Sequence, residues 1–397
     1  MEVMEFELGN PQEEAAPPKR IQKKNPRRKW LVFGIVLVAV LLVVLIAALC
    51  DSTIFDGLRR GVIYARADKD ESGCAQLYQY SNEKNCNYAS VDGSMITASV
   101  GQLQVLGEDG TVRYTTGLKF EQSAITCSES QVAVYDIGGT EIYILDAQGL
   151  VRQLRCDGTI LTANLNEDGW LAVTANKSGY KAAVYVYDDS GEKVFEFDSS
   201  ERFVMTASVC GDGEQMAAVT MGQTDGTFVS SVVIYRLNRD EPYAACDLPG
   251  DAVYHLDQLH GQYCAVAEDA IYFVDRNGSL AGSYDYSGEF LRRCCFAGED
   301  YAAVLLGTYK SGSQGRLVTL NDSGKEIASL EVDGEILSMS AAGRYVAALY
   351  SDHLTIYNRK LQEVDTLTDI SSAKEVLMRR DGSAVMAGNE SASLYLP

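Results

Sequence analysis

The chain has 397 residues, 46% of them hydrophobic, with 55 acidic against 34 basic side chains and a formal net charge of −21. Phosphate backbones need a basic footprint, so this balance excludes nucleic acid as a partner. It also disfavours contact between the globular part and anionic lipid, and it favours solubility.

Residues 1–29 hold 5 acidic and 7 basic residues, the adjacent Pro17 and Pro18 and few large apolar side chains. Such a segment cannot bury a core and is predicted to be a disordered basic tail. Residues 30–49 read WLVFGIVLVAVLLVVLIAAL, twenty residues without a charge. As a helix rising about 1.5 Å per residue they would span roughly 30 Å, the hydrocarbon thickness of a bilayer, and they show no polar face. Lys19, Arg20, Lys23, Lys24, Arg27, Arg28 and Lys29 stand just before this run. Positive charge stays on the cytoplasmic side. The prediction is a single-pass signal anchor over 30–50 in the plasma membrane, with 1–29 cytoplasmic and the rest extracytoplasmic. A cleaved signal peptide is the competing reading. The run is longer than the roughly 7–15 residues of a signal core, and Leu49 stands where a cleavage site or lipobox before Cys50 wants a small residue. The basic cluster sets topology and is also suited to anionic head groups. Residues 51–73 are read as a stalk, with GVIYAR (61–66) as an extra strand within it.

The part after the anchor carries 27 basic and 50 acidic residues. Its length would suit two or three ordinary domains, but one phrase recurs through it. A turn followed by a small apolar strand appears as VDGSMITASV, SESQVAVYD, NEDGWLAVTA, GDGEQMAAVT, HGQYCAVAE, GEDYAAVLL, AGRYVAALY and RDGSAVMAG. Aligned on Ile96, Ala133, Ala172, Ala217, Ala265, Ala303, Ala347 and Val385, the spacings are 37, 39, 45, 48, 38, 44 and 38 residues. A strand-built repeat of this length is the signature of a propeller blade. A second strand rich in Val, Ile, Leu and Tyr follows each phrase, as in EIYILDAQG, VYVYDDSG and IYFVDRNG, and Asp-Gly, Asn-Gly or Ser-Gly turns end most of them. More polar strands flank the pair, for example GTILTANL before and KVFEFD after. The strands are nearly continuous in apolar character, so both faces are covered, and the small side chains of the Ala-rich strand suit the crowded inner part of a ring.

The predicted fold is all-β: an eight-bladed β-propeller of four-stranded antiparallel blades over 74–397, with seven blades as the alternative if a terminal unit is degenerate. The last unit holds three strands, so an N-terminal strand must complete it and remove the open edge. AQLYQYSN (75–82) is the predicted clasp, ahead of the first blade's opening strand NYASV (87–91).

IYILDAQG, VYVYDDSG and IYFVDRNG resemble the strand-and-turn phrase of quinoprotein-type propellers. NEDGWLAV and RDGSAVMA resemble the Asp-Gly turns of translocation-protein and tryptophan-aspartate-repeat propellers. The whole plan resembles an uncharacterised family of single-pass bacterial propeller proteins of clostridial type, and that resemblance implies a membrane-anchored propeller without implying an activity. The GH…WD signature is missing, and outside the anchor Trp170 is the only tryptophan, where quinoprotein blades repeat one.

No catalytic set, cofactor motif or metal spacing is legible. Cys294-Cys295 lies in FLRRCC, which reads as a strand, and neighbouring side chains on a strand point to opposite faces. The cysteines after the anchor are nine, so they cannot all pair among themselves. Cys74 and Cys86 flank the clasp, and a disulfide between them would contribute about 3 kcal/mol in the loop-entropy model. Most of the others sit on apolar strands and read as buried thiols. His255, His260 and His353 are scattered and show no ligand spacing. Asn164-x-Asn166-x-Asp168-Gly169 reads as a turn between blade strands, since Ala175 stands where a calcium loop needs an acid. The functional expectation is a non-enzymatic binding or scaffold module for a protein, peptide or cell-wall ligand. The alternative is a hydrolase or quinoprotein-like oxidoreductase with a site assembled from distant loops. The polar, glycine-rich stretches 221–231 and 306–316 are the candidate binding rim.

Overall fold

The computed structural model describes residues 34–40, 42, 70, 73–80 and 85–397, apart from 212, 225, 250, 251, 369 and 371. The chain divides into two compact units, Met1–Phe55 and Asp56–Pro397. In the first, residues 34–40 and 42 are helical. Ile35, Val36, Leu37, Val38, Val40 and Leu42 are each at least half exposed there. Among the described residues no helix is long and apolar enough to cross a membrane. The basic tail, the rest of the predicted span and, apart from residues 70 and 73, the predicted stalk lie outside the described residues.

The second unit consists of eight antiparallel sheets of four strands. Seven are simple meanders, here blades 1 to 7: residues 87–117, 123–155, 159–199, 203–248, 253–285, 290–333 and 338–368. Blade 8 joins Glu375–Met378, Ala384–Ala387 and Ser391–Tyr395 to the N-terminal strand Cys74–Gln79. That strand runs antiparallel to the last one, with Gln79 opposite Ser391 and Cys74 opposite Tyr395. The predicted eight blades and N-terminal clasp are both present.

The unbroken apolar pattern has a direct cause. Each second strand lies between two neighbouring blades, so alternate side chains enter two different cores. In blade 2, Ala133 and Tyr135 pack with Ile160, Leu171 and Val173 of blade 3. Val132 and Val134, on the other face, pack with Ile96 and Leu103 of blade 1. Such a cluster fills the gap at every junction round the ring. At the closing junction, Tyr78 of the clasp meets Met95 and Leu106 of blade 1 and Val385 and Leu394 of blade 8. Each fully buried Val, Leu or Ile contributes about 1.5–3 kcal/mol.

First strands of neighbouring blades lie side by side and are laced by polar bonds, which makes them the innermost strands. Asn164 Nδ2 donates to Ala207 O at 2.6 Å, and Gln258 Nε2 donates to Ser208 Oγ at 2.7 Å. The amides of Val376 and Met378 donate to Ser338 and Ser340 Oγ at 3.2 and 3.0 Å. The partners advance together along both strands, so the inner strands run parallel. All turns joining the second and third strands of a blade therefore emerge on one face, with the links between blades. The turns joining first to second and third to fourth strands emerge on the other.

The Asp/Asn-x-x-Gly turns of the second face explain the repeated sequence phrase. Asp188 Oδ1 accepts from the amides of Ser190 and Glu192 at 3.0 and 2.9 Å. Asp275, Asn321 and Asn358 repeat this bonding in blades 5, 6 and 7. Such side chains mimic a backbone turn, and the fourth residue takes positive φ: Gly191, Gly278 and Gly324 in blades 3, 5 and 6, and Leu361 at φ +56 in blade 7. Asn166 caps the turn into the second strand of blade 3 in the same way, through the amides of Asp168 and Trp170.

Candidate functional site

The face carrying the second-to-third strand turns is not uniform around the ring. In blades 3, 4, 5 and 6 the inner strand bears one extra residue opposite its partner: Leu161, Met205, Tyr254 and Arg292. The inner strands of the other four blades pair without a shift. A bulge bends the strand and re-aims a side chain. Here four consecutive bulges lie at the end of the inner strand nearest this face.

Exposed aromatic side chains gather on the same arc. Of the six among the described residues, Tyr180, Phe203, Phe228, Tyr254 and Tyr309 stand on this face of blades 3 to 6, and only Tyr243 stands on the other. Phe228 and Tyr309 are the most open, each 67% exposed. Lysines pack over several rings of the arc: Lys177 over Tyr180 at 5.4 Å, Lys181 over Phe203 at 5.0 Å and Lys310 over Phe290 at 5.6 Å. Lys177 also holds Glu196 and Asp198, both at 2.6 Å, and these hydrogen bonds keep its ammonium protonated well above the ordinary lysine range.

Two hairpins rise from the arc, and arginines from the inner strands or the links before them brace both. In blade 4, Gln215–Thr224 and Thr227–Arg236 form one long two-stranded hairpin. Arg202 donates to Val229 O at 2.7 Å and to Ser231 Oγ at 3.0 Å. In blade 6 the turn is 308–313. The bulged Arg292 donates to Tyr309 O at 3.0 and 3.1 Å and to Gly312 O at 2.8 Å. The predicted rim segments are therefore on one face, two blades apart, but 221–231 is mostly an extension of paired strand, not a loop. Beneath the blade 6 turn lies an open cleft of about 390 Å³ lined by Glu289, Thr308, Gln314, Gly315, Glu331, Val332 and Asp333.

The other sequence candidates fall elsewhere. Cys74 and Cys86 are free thiols. Cys74 begins the clasp opposite Tyr395. Cys86 lies beyond the clasp's other end, beside Tyr80 and Tyr88. A six-residue strand spans about 16 Å, too far for a direct bridge without moving the clasp. Cys294 and Cys295 are on one strand, as predicted, and enter different cores: Cys294 packs between blades 5 and 6, Cys295 between blades 6 and 7. Burial pushes the Cys294 thiol up to about 12. His255 Nε2 is 3.4 Å from Asp257, His260 Nε2 is 2.9 Å from Glu299 O, and His353 stacks on Tyr350 with Nδ1 2.7 Å from Asp352. Among the described residues no group of three His, Cys, Asp or Glu is placed to hold a metal. At the start of the blade 8 inner strand, burial raises the Glu375 carboxyl above its ordinary range, partly offset by Arg293 of the blade 6 inner strand.

Sequence reading missed the aromatic arc because its members come from four repeats and share no local motif. The only local signal was repeat length: the two longest spacings, 45 and 48 residues, begin at Ala172 and Ala217, within blades 3 and 4.

A model of a family of unknown function, DUF5711, matches residues 69–372. No curated protein matches the sequence. Among solved structures, BamB from Moraxella catarrhalis is similar at 12% identity, covering 81% of this chain and 98% of its own, with a TM-score of 0.52. The computationally designed Ika8 protein is similar at 14% identity over 81% of this chain and 99% of its own, with a TM-score of 0.56. The C-terminal WD40 domain of Sif2 is similar at 12% identity over the same shares, with a TM-score of 0.56. At these identities the likeness establishes the propeller fold alone.

Proposed function

The chain belongs to DUF5711, a family of unknown function, and we propose that it is a membrane-anchored binding module whose propeller captures a protein partner on the hairpin face of blades 3 to 6. The observation that carries this reading is the gathering onto that one arc of five of the six exposed aromatics among the described residues. Aromatic side chains anchor protein interfaces because they bury much area at small entropic cost, and a polar rim surrounds them. Here the Lys, Ser, Gly and Thr residues of the hairpins form the rim. The arginine braces hold the hairpins in place before binding, which lowers the cost of ordering them.

We place the anchor at 30–50, the basic tail 1–29 in the cytoplasm, a stalk at 51–73 and the propeller outside the cell, as in single-pass proteins of clostridial type. The uncharged run of 30–49 and the exposed apolar side chains of the helix at 34–40 support this. Protease added to intact cells should then remove the propeller and leave a short cytoplasmic fragment in the membrane pellet. Protection of the propeller in intact cells would overturn the topology. For the binding face, photo-crosslinking residues placed at Phe228 and Tyr309 should each give one discrete protein adduct, and the same residue at Tyr243 should give none. Equal adducts at all three positions would overturn the assignment of the face.

A further inference from the structure

We propose that the cleft on blade 6 receives a lysine or arginine side chain presented by the partner polypeptide, an inference that rests on the hairpin face being the binding face. Three carboxylates line the cleft: Glu289, Glu331 and Asp333. Arg316 answers the first, with Nη2 2.6 Å from Glu289 Oε2. Among the described residues neither Glu331 nor Asp333 forms an ion pair, so the cleft keeps an excess of negative charge. An acidic occupant would be repelled. A purely apolar one would strip water from carboxylates without pairing them.

A long basic side chain meets both demands. Its stem can lie on Gly315 and Val332 while its head group reaches the carboxylates. The surroundings suit a cation as well. Tyr309 stands open beside Thr308 at the cleft's edge. The same turn already shows the preference in miniature, with Lys310 over the Phe290 ring and 3.8 Å from Glu268. Charge complementarity thus selects a basic segment, and the open aromatics add cation–π attraction.

The test is a titration of the whole protein in detergent with a fluorescent peptide of alternating lysine and serine, beside its glutamate counterpart. The lysine peptide should bind, the glutamate peptide should not, and added salt should weaken the complex. Glu331→Gln with Asp333→Asn should weaken it about tenfold. The same loss of charge on the opposite face, Glu167→Gln with Asp189→Asn, should leave it within about twofold. Equal weakening by both pairs would mean diffuse attraction to an acidic domain and would overturn the proposal. So would failure of the lysine peptide to bind. If adducts at Phe228 and Tyr309 persist in that case, the cleft assignment fails and the face stands; if they are also missing, the face itself is wrong.

Discussion

Arg379 ties three parts of the ring closure together. Its Nε donates to Ser90 Oγ at 3.0 Å, and its Nη2 donates to Gly93 O at 2.9 Å and to Tyr78 Oη at 3.3 Å. One side chain of blade 8 thus grips blade 1 and the clasp at once. Gly93 sits at φ +80, in a tight turn whose carbonyl also accepts from Tyr78 Oη. Removing the guanidinium takes away all three charge-assisted hydrogen bonds at once, so Arg379→Ala should cost about 2–4 kcal/mol, read by equilibrium urea unfolding. Glu375 gives a second prediction, with an unusual sign. Its folded-state pKa is raised by burial, so the fold prefers the protonated form. Its contribution to stability is fully present below the unfolded value and is lost as pH rises through the folded one. Glu375→Gln should therefore melt higher than the parent at neutral pH, and the difference should vanish below about pH 4. Neither residue was legible in the sequence. Both act through partners hundreds of positions away or across the ring, and spacing along a chain carries no trace of that. The reading of Cys294 and Cys295 did succeed, because alternation on a strand is a purely local property.

At the level of strands, the clasp decides whether the ring exists. Without Cys74–Gln79 the last strand, Ser391–Tyr395, would show an unpaired edge, and Tyr78 would leave the closing core. A chain starting at residue 70 should fold and melt cooperatively. One starting at residue 86 should lose cooperative melting and aggregate through the bare edge, as seen by circular dichroism and size-exclusion chromatography. The second strands were the most legible elements, since burial on both sides forces unbroken apolar runs. One register was misread. Ala265 aligns by eye with the other repeats, yet it packs back against Ala217, while Cys264 and Val266 face blade 6. The turn before it is the tight pair His260-Gly261, at φ +49 and +76, and a one-residue difference in a turn reverses which face a strand side chain meets. The inner-strand bulges were illegible for a related reason. An extra residue in one of two paired strands is visible only once the pairing is known.

Over the whole molecule, the two ends of the propeller meet in one blade. The Leu396 amide donates to Gly73 O at 3.2 Å. Joining 397 to 73 through a short Asp-Gly turn would give blade 8 the outer hairpin that the other blades have. New ends opened in the link between blades 4 and 5, at 249–252, should leave a permuted chain with the same far-ultraviolet spectrum and a similar unfolding midpoint. Failure to fold would show that the clasp must come from the N-terminus. The repeat length made the architecture readable as a whole, whereas the unequal halves of the ring, bulged and plain, emerged only from the pairing. The position of the clasp has a mechanical side too. The polypeptide enters it at Cys74, on the face away from the hairpins, and runs toward the hairpin face along the last strand. A pull between the leading segment and something held by the hairpins would act along this strand, loading its crosswise hydrogen bonds together in shear instead of unzipping them one at a time. The joint that closes the ring is thereby oriented to resist a pull of that kind.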